Sequence, residues 1–101
     1  MATTVSLRSI LPGKLAEDVR RMGERYGIRN IRVFGSFARG DARPESDLDL
    51  LVDYVPGKSG FAFVRFCREA EELLGRKVDV ATEASLHPLI RERVLSEAVP
   101  L

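Results

Sequence analysis

The sequence has one cysteine, one histidine and no tryptophan in 101 residues. It also has no apolar run approaching the roughly 20 residues that span a bilayer. A lone Cys67 excludes an internal disulfide framework. It sits among Phe63, Phe66 and Ala70 with no second thiol or histidine beside it in the chain, so it reads as a reduced packing residue. His87 precedes Pro88 without a serine or cysteine partner, which removes the usual nucleophile–imidazole arrangements. Charge of one sign is also missing. Sixteen basic residues face fifteen acidic ones, a net charge of +1, so no broad positive field exists to track nucleic acid or hold an anionic membrane. Met1 to Pro12 has neither the basic start nor the apolar centre of a signal peptide. The expectation is a cytoplasmic protein without membrane contact, and free nucleic acid is not an expected partner.

What is present supports a folded chain. Hydrophobic residues make up 45% and charged residues 31%, enough for a core, and the length suits one domain over residues 1–101. Leu11, Leu15, Val19, Met22 and Tyr26 recur at helical spacing, predicting a helix over 12–26 that Gly27 ends. Ile28 to Phe34 predicts a strand with Ile31 and Val33 on one face, followed by a small-residue break and short helix over 35–40. Ser46 to Tyr54 predicts a second strand, its even positions Leu48, Leu50 and Val52 apolar and its odd positions Asp47, Asp49 and Asp53 acidic. A turn-rich loop is expected over 55–60. Phe63, Cys67, Ala70 and Leu74 mark a helix that Gly75 ends, Lys77 to Ala81 a third strand. Leu86, Leu89, Ile90, Val94 and Ala98 mark a last helix beginning near Pro88. The order α-β-α-β-α-β-α is that of an α/β (α+β) fold.

Chemistry concentrates between Gly35 and Asp49. Alternation along a strand puts Asp47 and Asp49 on one face, about 7 Å apart at their backbones. Two such carboxylates repel unless a cation binds, and Mg²⁺ is held by one or two carboxylates together with substrate phosphates. Gly35 and Ser36 supply the complementary half, since glycine lets backbone approach a ligand and a following short helix aims N–H groups at phosphate oxygens. An ordinary strand-to-helix turn with Ser36 as cap is the plain alternative. Asp79, between Val78 and Val80, is a candidate third acid, the alternative being an edge strand with Lys77 and Asp79 facing water. Arg39 is a candidate phosphate contact or a surface ion-pair partner. Asp53 reads as a solvent residue at a strand end, and Arg20, Arg21, Arg25, Arg91 and Arg93 as solvated helix faces.

The stretch Val33-Phe34-Gly35-Ser36-Phe37-Ala38-Arg39-Gly40, followed by Ser46-Asp47-Leu48-Asp49-Leu50, resembles the minimal nucleotidyltransferases of the polymerase-beta-like superfamily. The resemblance implies a small mixed β-sheet flanked by helices, with Asp79 as the third acid. It implies transfer of AMP from ATP to an acceptor hydroxyl with loss of pyrophosphate. In that scheme Asp47 and Asp49 hold two Mg²⁺ ions, Asp79 holds the ion nearest the acceptor and helps deprotonate it, and Gly35 and Ser36 position the triphosphate. Larger members carry a further helical domain that grips the acceptor, and none is evident in these 101 residues. The family further implies an antitoxin paired with a HEPN-type RNase toxin and modifying a toxin tyrosine. A non-catalytic module that masks its partner, and transfer to RNA or a small molecule, are the competing expectations. Val94, Leu95, Val99 and Leu101 are expected to form either a docking surface or a fold-back onto the core.

Overall fold

Why two helices lie on one face of the sheet and one on the other follows from the apolar spacing of the central strands. The computed structural model describes residues 3–55 and 60–101, and the loop expected over 55–60 falls largely outside them. The elements are α1 (Leu7–Ile10), α2 (Gly13–Arg25), β1 (Ile28–Phe34), α3 (Ser36–Arg39), β2 (Leu48–Tyr54), α4 (Gly60–Leu74), β3 (Val78–Ala81), α5 (Pro88–Glu97) and β4 (Val99–Pro100). A 3₁₀ turn at Glu83–Ser85 precedes α5.

The sheet is mixed, in the order β3-β2-β1-β4. β1 is antiparallel to both β2 and β4. β2 and β3 are parallel, and α4 makes the crossover that parallel neighbours require. Leu48, Leu50 and Val52 of β2 and Val33 of β1 are fully buried against Ala16, Val19 and Met22 of α2 and Phe66 and Ala70 of α4. On the opposite face Leu51 is also fully buried, packed with Leu86 and Val94. The odd face of β2 is therefore acidic only at its ends. Its middle is covered by α5, and the acids flank that cover.

Several expectations change in the structure. β2 starts at Leu48, not Ser46, because residues 43–46 form a turn in which the Arg43 N–H donates to the Ser46 hydroxyl, and pairing with the third-strand segment begins where the Leu48 N–H donates to the Lys77 carbonyl. α1 is a single turn capped by Ser6, too short to give a periodic signal. Leu89 is 87% exposed, so the buried side of α5 runs through Val94 and not through Leu89. His87 is the cap of α5, its Nδ1 accepting from the Leu89 N–H at 3.1 Å. The C-terminal residues fold back: Val99 and Pro100 pair with Val33 and Arg32, and Leu101 packs on the core. A proline is tolerated there because β4 is an edge. Cys67 is a packing residue, its thiol donating to the Val78 carbonyl.

Arg76 joins the two halves of the motif region. Its guanidinium donates to the carbonyls of Pro44 at 3.0 Å and Ser46 at 2.8 Å, and it stands 5.1 Å over the Phe37 ring. It thus ties the loop leading into Asp47 to the short helix that follows Gly35. Hydrogen bonds from a charged donor contribute about 1.5–3 kcal/mol. Arg76→Ala is therefore expected to lower the thermal midpoint by roughly 5–15 °C. Arg76→Lys should restore part of the loss, since both carbonyls are met by the single Nη1, whose place an ammonium can take, while the planar stack on the ring is lost. Differential scanning calorimetry of the three proteins checks this.

Candidate active site

The two sheet registers bring the motif residues together. Phe34 of β1 lies opposite Asp49 of β2, and Asp49 lies beside Asp79 of β3. Asp49 and Asp79 therefore share one face at the same level of the sheet. Asp47 stands just ahead of β2, half-buried, with Lys77 Nζ at 3.9 Å. Asp79 is solvent-exposed on an edge strand, as its plain reading required, yet it is also the register neighbour of Asp49.

Gly35 turns the chain out of β1 directly over the Asp49 carboxylate. Its φ is +75°, and a Cβ at this position would collide with Asp49 Oδ2. Only glycine combines that dihedral with that approach. Ser36 opens α3 but is not its cap. Gly35 holds the cap position with no side-chain bond, and the Ser36 hydroxyl makes no hydrogen bond among the described residues. That hydroxyl is half-buried and free to donate.

Arg39 and the Gly35 N–H are not free. Glu97, the last residue of α5, accepts from the Gly35 N–H at 2.9 Å and faces Arg39 Nη1 at 3.3 Å. Arg39 also meets Asp41 at 3.4 Å. Asp53 pairs with Arg32 at 3.1 Å and stays at the exposed strand end, away from the Asp49–Asp79 pair.

Crowding of like charges dominates the electrostatics. Burial, then the nearby Asp79 and Asp47 carboxylates, push the Asp49 carboxyl up from 3.8 to about 6, partly opposed by Arg39. Acids that repel in this way suit a divalent cation. Among the described residues no three potential ligands are gathered tightly enough to hold an ion unaided. This still fits Mg²⁺, which takes one or two carboxylates and completes its shell with water and phosphate oxygens.

The shift also fixes a pH dependence. A carboxyl whose folded pKa lies above its unfolded one stabilises the fold below the unfolded value, and that contribution is lost as pH rises through the folded one. Metal-free protein should therefore lose stability between pH 4 and pH 6.5, relative to Asp49→Asn. About two pKa units correspond to about 3 kcal/mol. The site is half open to solvent, so screening reduces this to about 1 kcal/mol. The expected result is a midpoint for Asp49→Asn roughly 4–8 °C above wild type at pH 7 and equal to it at pH 4. Melting scans in EDTA measure the difference.

Two residues of this region carried no motif signal in the sequence. Arg76 acts through carbonyls about 30 positions away. Glu97 leaves one clue, a carboxylate in the last turn of a helix, where the dipole disfavours negative charge unless a donor compensates.

Sequence and fold are both similar to those of known proteins. A family model described as the nucleotidyltransferase domain matches residues 13–101. The protein adenylyltransferase MntA of Thermococcus cleftensis is 39% identical over 98% of this chain and 96% of its own length. A solved structure assigned as a minimal nucleotidyltransferase is 46% identical, covers 85% of this chain and 88% of its own, and superposes with a TM-score of 0.76. A toxin-antitoxin crystal structure with AMP-PNP shares the fold at a TM-score of 0.69 and 17% identity, covering 84% of this chain and 70% of its own. With the Gly35 turn set over Asp49, and Asp79 in register beside it, the chain belongs to the minimal nucleotidyltransferases, and it is an enzyme.

Proposed function

We propose that the protein transfers AMP from ATP to a tyrosine hydroxyl of a HEPN-type RNase toxin and so acts as its antitoxin. The observation that carries this reading is the Asp49–Asp79 register beside the Gly35 turn. Support for a protein acceptor comes from the adenylyltransferase name of the T. cleftensis relative. Support for a toxin comes from the toxin-antitoxin complex that shares the fold.

In this reading the acceptor oxygen bonds to the α-phosphorus as the bond to pyrophosphate breaks, and pyrophosphate leaves. The acceptor proton passes to Asp79, which is exposed and so open to an incoming side chain. Ser36 donates to a phosphate oxygen, and Arg39 turns from Glu97 to the leaving group. Asp47 and Asp49 would hold Mg²⁺, which when bound neutralises phosphate charge and aligns the in-line displacement.

The test mixes the purified protein and a HEPN-type toxin with α-labelled ATP and Mg²⁺. Label on toxin tyrosine, lost with Asp47→Ala, is the expected result. A tight complex without label, unchanged in that variant, would replace transfer by masking. Label on added RNA alone would replace the protein acceptor.

A further inference from the structure

We infer that Glu97 is an internal anion that competes with the nucleotide for the phosphate cradle and thereby sets its affinity. The inference rests on the assignment of Gly35 and Arg39 to the triphosphate. Both groups that an anion would seek there, a glycine N–H at the turn and a guanidinium, are held by one carboxylate, at 2.9 Å and 3.3 Å. A carboxylate in such a place imitates a phosphate oxygen pair.

The fold puts it there by register. β4 pairs Val99 with Val33 and Pro100 with Arg32, antiparallel. Glu97 ends α5 two residues before Val99, and Gly35 follows two residues after Val33, so the pairing of β4 with β1 brings the helix end to the Gly35 turn. The side chain is only 15% exposed, whereas its helical neighbours Arg91, Glu92 and Arg93 point to solvent. Its charge also adds to the repulsion felt by Asp49. A fourth acid beside three is costly unless it holds donors. When a polyphosphate arrives, it must take Gly35 N–H and Arg39 from Glu97. The work of that exchange is subtracted from its binding.

Glu97→Gln separates competition from structure, because the amide oxygen still accepts from the Gly35 N–H while the charge is gone. Calorimetry with inorganic tripolyphosphate and with Mg-ATP should show the variant binding each roughly tenfold more tightly, as for one charge-assisted contact released. The KM for ATP should fall by a similar factor. Glu97→Asp, which keeps the charge, should move less than Glu97→Gln. Unchanged or weaker binding by a Gln variant that melts like wild type would overturn the inference while leaving the nucleotide site intact. No binding of Mg-ATP by either protein would overturn both.

Discussion

Replacing Asp47 and Asp49 together by alanine is expected to abolish Mg²⁺-dependent ATP binding and to cut AMP transfer by about 10³-fold or more, while the metal-free protein melts at or above the wild-type temperature. The two halves of this expectation have one cause. Asp49 is half-buried beside Asp79 and Asp47, and burial together with their repulsion raises its pKa to about 6. Without a cation the acids cost stability, so removing them relieves the fold. In the proposed reading the same acids would share an ion with the phosphates of a bound nucleotide, so removing them would forfeit several kcal/mol of charge stabilisation. Calorimetry with and without Mg²⁺, paired with melting in EDTA, reads both. Equal Mg-ATP affinity in wild type and double variant would remove the acids from the site. A collapse of the melting temperature would make them structural.

How much of this was legible in the sequence depends on the distance over which each interaction acts. Gly35, Ser36, Asp47 and Asp49 lie within one strand-turn-strand stretch, where side-chain alternation and glycine's dihedral freedom are local rules. Those rules were enough to place the acids at a sheet end. Apart from the family resemblance, Asp79 stood out locally as an acid between two valines. Its parallel register with Asp49 is a property of the α4 crossover, which no local pattern fixes. Glu97 and Arg76 carried no motif signal because their partners lie 62 and about 30 positions away. β4 was hidden for a different reason: two residues, one of them a proline, present no alternation. A β-bulge in β1 around Asn30, whose φ is +51°, left a faint trace in the uneven spacing of the buried Ile28, Ile31 and Val33.

Asp79→Asn separates the acids by task. The substitution keeps the size and hydrogen-bonding reach of the side chain and removes one negative charge from the neighbourhood of Asp49. Nucleotide affinity should therefore stay within about threefold of wild type, since Asp47, Asp49, Gly35 and Ser36 remain and the repulsion lessens. Transfer should nevertheless fall by about 10²–10³-fold, because a group that takes the acceptor's proton acts in the transition state and not in ground-state binding. The kinetic signature is a loss in kcat with little change in the KM for ATP. A matching loss in kcat and in Mg-ATP affinity would instead place Asp79 with Asp47 and Asp49 as a plain cation holder. Transfer at the wild-type rate would return it to the solvent-facing edge of β3, where its exposure alone would put it.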